Sequence, residues 1–164
     1  MMENRKQVNF YRLALAEGKR FRMELSDDYR LTGTGAGVFT WFAPVYDSMD
    51  QNETWHRLVL SGIFRECKYE IMAAASNEDL REFLYAEERT ADQIEEMLRE
   101  QTFIRKVNTD DLLLHSLTGQ YLYILIRVSG ARVDSHFQID GLHVEFPWGS
   151  FVEYLPEIYQ TSGR

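Results

Sequence analysis

The segment Tyr121-Leu122-Tyr123-Ile124-Leu125-Ile126-Arg127-Val128 alternates with a period of two residues. This period is typical of a β-strand, in which successive side chains point to opposite faces of the sheet. The apolar face comprises Leu122, Ile124, Ile126 and Val128, and the other face carries Tyr121, Tyr123 and Arg127. The segment therefore predicts a strand with one face buried in a sheet core.

The segment from Phe137 to Phe146 repeats the pattern, with Leu142, Val144 and Phe146 on one face and His143 and Glu145 on the other. We expect the two segments to pair as neighbours, joined by the loop 129–136. Upstream, short apolar or alternating runs (21–25, 38–45, 54–60 and 67–75) are separated by turn-rich pieces. Short strands at regular spacing predict a mainly β fold, an antiparallel sandwich of jelly-roll type formed by residues 1–164 as one domain.

Between residues 76 and 106 the apolar period changes to about 3.6 residues, the period of an α-helix. Thr90 followed by Gln93 is a capping-box sequence, which marks the start of a helix. We expect a helical pair inserted into the β framework, with one shared apolar stripe formed by Leu80, Phe83, Leu84, Ala91, Ile94, Met97 and Leu98. The opposite face is acidic and is predicted to be solvated; it carries Glu87, Glu88, Asp92, Glu95, Glu96 and Glu100.

The charge composition argues against nucleic-acid binding. The net charge is −8, and the Lys and Arg residues form no basic run that would contact a phosphate backbone. No apolar stretch approaches the roughly 20 residues of a membrane-spanning helix, so we expect no membrane insertion. The single cysteine, Cys67, lies in an alternating segment and is predicted to be a buried, inert thiol.

The sequence shows no recognisable catalytic or metal-binding motif. Its histidines have neither the HExxH pattern nor the spacing of a zinc site; they are His56, His115, His136 and His143. Ser150 follows Gly149 but lacks the second glycine of a nucleophile elbow. We therefore predict a protein that is not an enzyme and that uses no cofactor or metal.

The residues 146–160 are dense in aromatic side chains and contain two prolines. Aromatic residues dominate protein contact surfaces, because they bury a large rigid area at little cost in rotamer entropy. The predicted interface consists of Phe146, Pro147, Trp148, Phe151, Tyr154, Leu155, Pro156, Ile158 and Tyr159. Packing of this segment on its own sandwich is the alternative that the sequence leaves open.

Several short motifs occur in an order that resembles a known family. They are GQYLYI (119–124), SG (129–130), IDGLHVEFP (139–147) and YLPEIY (154–159), preceded by APVYDS (43–48) and TWHRLVL (54–60). This order is similar to that of the phage tail protein I group, which are baseplate components of contractile tails. The inserted helices depart from the family pattern.

The resemblance implies a structural, non-catalytic component of a phage tail or a related contractile injection particle. Its expected partners are other tail or baseplate proteins, with a homo-oligomer as a further possibility. Its expected location is a particle that is assembled in the bacterial cytoplasm.

A carbohydrate-binding β-sandwich module is the alternative function, with a surface glycan as the partner. In that interpretation exposed tryptophans stack on sugar rings, and the candidates are Trp41, Trp55 and Trp148. A hydrolase that uses scattered carboxylates is a third hypothesis, and it requires a cleft that gathers them.

Overall fold

The computed structural model describes residues 15–17, 22–25, 31–86, 88–145 and 151–154, and within these residues the strands form two six-stranded antiparallel sheets. The first sheet contains β1 (Leu15–Glu17), β4 (Gly37–Phe42), β5 (Tyr46–Asp47), β7 (Cys67–Ser76), β8 (Thr102–Val107) and β10 (Tyr121–Gly130). The second contains β2 (Arg22–Leu25), β3 (Leu31–Thr34), β6 (Arg57–Arg65), β9 (Asp111–Leu113), β11 (His136–Glu145) and β12 (Phe151–Tyr154).

The two sheets pack face to face around one apolar core, as the sequence predicts for a sandwich. The strand order is β1-β4-β10-β7-β8 in the first sheet and β2-β3-β11-β6-β9 in the second, with β5 on β10 and β12 on β11. The alternation of β10 is confirmed, because Leu122, Ile124, Ile126 and Val128 are all buried in the core between the sheets. The inward residues Ile139, Leu142 and Val144 of β11 meet them from the opposite sheet.

The predicted pairing of β10 with β11 is wrong. β10 lies between β4 and β7 in the first sheet, whereas β11 lies between β3 and β6 in the second. The segment 131–135 therefore crosses from one sheet to the other instead of turning a hairpin. Their apolar faces meet across the core, which satisfies the same hydrophobic pattern as pairing would.

The inserted helical pair is confirmed, with α1 at Arg81–Leu84 and α2 at Ala91–Arg99. Thr90 and Gln93 form the predicted capping box, in which each side chain accepts a hydrogen bond from the other residue's backbone N–H. The insert is shorter than predicted, because residues 102–107 form β8 at the edge of the first sheet. Alternation in β8 is obscured by Arg105 and Lys106, since an edge strand exposes charged side chains.

A second, smaller core lies between the helices and the outer face of the first sheet. Leu84, Ile94 and Leu98 are its buried helical residues, and Phe42, Met72, Ala74, Tyr123 and Leu125 are contributed by the sheet. The first sheet is thus apolar on both faces where the helices cover it. The structure explains why β10 carries Tyr123 and Leu125 on the side opposite to the main core.

Candidate binding site on the first sheet

The helices cover only part of the outer face of the first sheet. Tyr123 attaches the insert at one end, because its hydroxyl donates to the carbonyl of Glu78 (2.8 Å) and accepts from the N–H of Leu80 (3.0 Å). Two outward positions further along β10, the face carries Arg127 opposite Glu70 of β7. The sheet therefore changes from an apolar, helix-covered half to a charged, open half.

A depression of about 230 Å³ lies at this boundary. Its floor is apolar and is formed by Met72 and Leu125, which are direct partners across β7 and β10. Four charged side chains surround the floor: Glu70 from β7, Glu95 from α2, Arg105 from β8 and Arg127 from β10. Acids and bases thus converge from three neighbouring strands and one helix.

Ion pairs hold these charged groups in place. Arg127 Nη1 lies 3.0 Å from Glu95 Oε1, and Arg99 Nη2 donates to Glu95 Oε2 at 2.8 Å. Glu70 is paired with Arg105 at 3.3 Å and with Lys68 at 3.6 Å. Because each rim carboxylate has two cationic neighbours, the rotamers of the rim are restrained before any ligand arrives.

The environment of Glu95 favours its ionised form. Burial alone would raise the pKa of this carboxyl, but the hydrogen bond from Arg99 and the charges of Arg127 and Arg99 together hold the pKa below its ordinary value. Glu95 is the only residue of the acidic helix face, among those described, that lines the depression; Asp92, Glu96 and Glu100 are exposed. The predicted solvated face is confirmed for these three residues and for Glu88, whereas Glu95 is partly buried and Glu87 lies outside the described residues.

The Glu95 carboxylate should stabilise the fold only while it is ionised. Its pKa is lowered in the folded state, so its contribution is present above the ordinary value of 4.5 and is lost as the pH falls through the folded pKa. We expect Glu95→Gln to lower the free energy of unfolding at about pH 7 by up to about 1 kcal/mol, with the deficit shrinking at about pH 3. Urea denaturation at both pH values measures this difference.

Glu96→Gln is the matched control, because Glu96 is exposed on the same helix. It should leave the unfolding free energy unchanged at both pH values. A deficit for Glu95→Gln that persists undiminished in acid would contradict the assignment of the effect to the ionised carboxylate.

The arrangement is suited to a neutral ligand that carries several hydroxyl groups. A hydroxyl both donates and accepts hydrogen bonds, a carboxylate only accepts, and a guanidinium only donates. Two carboxylates and two guanidiniums around one apolar floor therefore offer both kinds of partner to neighbouring hydroxyls. Met72 and Leu125 are each only 4% exposed, so the floor offers a small apolar area to the C–H face of the same molecule.

Two of the three tryptophans proposed as sugar platforms are not available for stacking. Trp41 and Trp55 are both 0% exposed and belong to the core between the sheets. The Trp55 indole N–H donates to the carbonyl of Gly119 at 2.8 Å, and its ring packs on Tyr46. The prediction that these two residues are exposed is wrong, and the third candidate, Trp148, lies outside the described residues.

The histidines do not assemble into a metal site. His56 and His115 pack edge to face with ring centroids 5.3 Å apart, His136 contacts Thr34, and His143 contacts Glu145. In the part of the chain that the structure describes, no group of three or more His, Cys, Asp or Glu side chains is placed to hold a metal ion. Cys67 is partly buried, and burial raises the pKa of its thiol.

The predicted C-terminal interface is described only in part. The backbone of residues 151–154 forms β12, which pairs with β11 in the second sheet, so Phe151 and Tyr154 belong to a strand of the sandwich itself. The remaining members of the predicted interface lie outside the described residues, as does Ser150; they are Phe146, Pro147, Trp148, Leu155, Pro156, Ile158 and Tyr159. Docking of this segment on a partner stays a prediction.

The outer face of the second sheet differs from that of the first, because no described helix covers it. Outward rows cross its strands at Glu145, Arg57 and Leu113 and at Gln138 and Ile63. Two large apolar side chains are exposed there, Ile63 at 45% and Leu113 at 67%. Arg57 forms a two-point ion pair with Asp111 beside Leu113. The surface is a flat mixture of apolar and charged groups, as in many protein contact surfaces.

Sequence reasoning identified Arg127 as an outward residue of β10 but did not find the depression. The available signal was the presence of Arg127 and Glu70 on two strands whose next outward residues, Leu125 and Met72, are apolar. Sequence alone did not show that these strands are neighbours in exact register, nor that Glu95 lies above them. Within the described residues, no helix is long and apolar enough to span a membrane.

No protein-family model matches the chain, and no curated protein matches it in sequence. Among solved structures, the module TmCBM61 in complex with β-1,4-galactotriose has a TM-score of 0.48 at 7% identity, covering 82% of this chain and 87% of that one. The xylan-binding module CBM86 from Roseburia intestinalis has a TM-score of 0.43 at 7% identity, covering 84% and 92%. The Gap123 glycosylation-associated complex from Streptococcus agalactiae has a TM-score of 0.43 at 11% identity, covering 84% and 26%.

These three TM-scores are below 0.5, so the likenesses carry no argument about function. None of the three structures is of a tail protein, and the resemblance to tail proteins stays a prediction. The chain is a mainly antiparallel β-sandwich with an inserted helical pair.

Proposed function

We propose that this chain is a non-catalytic carbohydrate-binding module and that the glycan binds in the depression on the first sheet. The observation that carries the proposal is the alternation of carboxylates and guanidiniums around the apolar floor of Met72 and Leu125. Sugars present this combination of surfaces, with hydroxyls at the ring edge and C–H groups on the ring face. The site differs from the tryptophan platform that the sequence suggested.

Each rim residue has a separate role in this proposal. Arg105 and Arg127 donate to sugar hydroxyls, while Glu70 and Glu95 accept from them. The side chains lie on strands and on a capped helix, which gives a rigid set of donors and acceptors and lowers the entropic cost of binding. A binding site, unlike a catalytic site, needs no acid or base with a perturbed pKa. The proposal therefore includes no catalytic step.

Arg105 is the rim residue that is best suited to a test, because it lies on an edge strand and does not hold the helix. We expect Arg105→Met to weaken glycan binding by about tenfold or more, since one charged hydrogen bond is worth about 1.5–3 kcal/mol. A glycan array identifies the ligand of the unmodified protein, and isothermal titration measures the loss of affinity.

Lys106→Met is the matched control. It removes the same charge from the next residue of β8, on the opposite face of the strand, and it should leave the affinity unchanged. Equal affinities of Arg105→Met and Lys106→Met would mean that the glycan does not bind in the depression. Absence of binding to every glycan on the array would overturn the proposed function.

A structural role in a tail-like particle is the second candidate. It is supported by the ordered motifs between residues 43 and 159 and by two exposed apolar residues, Ile63 and Leu113. Both lie on the outer face of the second sheet, which no described helix covers and which we call the open face. In this proposal the open face contacts another tail or baseplate protein, and the segment 146–160 adds to the contact. Apolar residues surrounded by charged ones are suited to such a surface.

Introducing a charge into the open face should separate this candidate from the first. We expect the double variant Ile63→Asp and Leu113→Asp to lose incorporation into particles assembled with phage tail proteins, while glycan binding remains. Val133→Asp, which changes an exposed valine in the segment 131–135, is the control and should be incorporated normally. Normal incorporation of the double variant would exclude this surface.

A further inference from the structure

We infer that the depression binds a single sugar ring at the end of a glycan, not an internal stretch of a chain. This inference rests on the proposed function and concerns how the ligand enters the same site. Three features of the depression support it: one end is closed, the other end is open, and the floor is small.

The closed end is formed by the helical insert. Beyond Leu125 and Met72, the next outward residues of β10 and β7 are Tyr123 and Ala74, and both are buried beneath the helices in the second core. Glu95 of α2 is attached to Arg127 of the sheet at the boundary. A glycan that lay across the sheet in this direction would have to displace α2.

The open end lies in the opposite direction along the same strands. Beyond Arg127 and Glu70, the next outward positions are Ser129 and Lys68, which are direct partners across β10 and β7. Ser129 is partly exposed and Lys68 is exposed. A glycan chain attached to a bound ring can therefore leave along the strands in this direction, over these two residues.

The size of the depression matches one ring. The depression spans three adjacent strands and two outward positions along β7 and β10, which corresponds to about 10 Å by about 7 Å at ordinary strand spacing. A second ring would lie outside the ring of charged side chains and would add few contacts.

Chain length is the variable that tests this inference. The probes are the β-1,4-linked series of xylose, glucose, galactose and N-acetylglucosamine, each from one to four rings, titrated calorimetrically against the unmodified protein. In a series that binds, we expect the dissociation constants of the single ring and the tetrasaccharide to agree within about threefold. A tetrasaccharide that binds more than about tenfold tighter would overturn the inference and leave the proposed function intact.

The direction of exit is tested by Ser129→Trp, which places a large ring at the open end. We expect this variant to weaken the tetrasaccharide by about tenfold or more while the single ring binds as before. An unchanged tetrasaccharide would overturn the exit over Ser129 and Lys68. Failure of all four series to bind the unmodified protein would overturn the inference, and the proposed function falls with it only if no glycan on the array binds.

Discussion

Replacement of Gly119 by alanine should destabilise the protein by at least about 3 kcal/mol, the largest effect that we expect from the loss or gain of one methyl group. A Cβ at this position would lie 2.6–2.8 Å from the backbone N, Cα and C atoms of Ser76. Real Cβ atoms do not approach backbone so closely, and Ser76 cannot retreat, because it ends β7 in register with Tyr121. The φ angle of +156° also disfavours a residue with a side chain.

The same glycine holds the loop 48–56, which connects β5 to β6, against the segment that precedes β10. Its N–H donates to the carbonyl of Glu53, and its carbonyl accepts from the Trp55 indole, both at 2.8 Å. A shift of the backbone at Gly119 would therefore break buried hydrogen bonds as well as relieve the overlap. The steric overlap and the loss of these hydrogen bonds both lower the free energy of unfolding.

Thermal unfolding followed by circular dichroism measures the Gly119→Ala effect. A loss of about 3 kcal/mol corresponds to a fall in the melting temperature of about 6–12 °C for a domain of this size. Thr118→Ala is the control, because the neighbouring threonine is exposed, and it should change the stability by less than about 0.5 kcal/mol. A melting temperature for Gly119→Ala equal to that of the control would mean that Gly119 is not packed against the backbone of Ser76.

Trp55→Ala is the second variant with a large expected effect, and it tests whether the indole is a core residue or a ligand platform. Trp55 is fully buried, packs on Tyr46 and donates to Gly119. Deleting a buried indole leaves a cavity and an unpaired carbonyl, so we expect a loss of about 3–5 kcal/mol in the free energy of unfolding. Chemical denaturation followed by circular dichroism avoids the loss of tryptophan fluorescence as a signal.

His115→Ala is a suitable control, since this exposed side chain lies close to the same loop. It should leave the unfolding free energy within about 0.5 kcal/mol of the original. An exposed sugar platform predicts the reverse behaviour for Trp55→Ala, with normal stability and weakened glycan binding. That outcome would mean that Trp55 lies at the surface and that its assignment to the core is wrong.

Local patterns in the sequence predicted the individual elements well. The period of two in residues 121–128 predicted the two faces of β10, because alternation is a property of the extended backbone itself. Thr90 and Gln93 predicted the start of α2, because a capping box involves only residues three apart. Three residues of the helical stripe are buried (Leu84, Ile94 and Leu98), and three more pack partly buried against them (Leu80, Phe83 and Met97).

The partners of these elements were less predictable. An apolar face shows that a strand must be covered by another layer. It does not show which strand pairs with it, because a strand across the core covers the face as well. Residues 121–130 and 136–145 were therefore assigned to one sheet, whereas they lie in two. The edge position of β8 removed the clear alternation that would have ended the helical insert at residue 101.

By itself, the sequence determined that this protein is a mainly β sandwich with a helical insert, because strand and helix periods are local consequences of backbone geometry. Only the tertiary structure decided which side chains meet, since pairing joins residues that are far apart in the chain. It placed Trp41 and Trp55 in the core, and it brought Glu70, Glu95, Arg105 and Arg127 around one depression. Exposure and proximity depend on what the opposite sheet and the helices cover, and no local pattern contains that information.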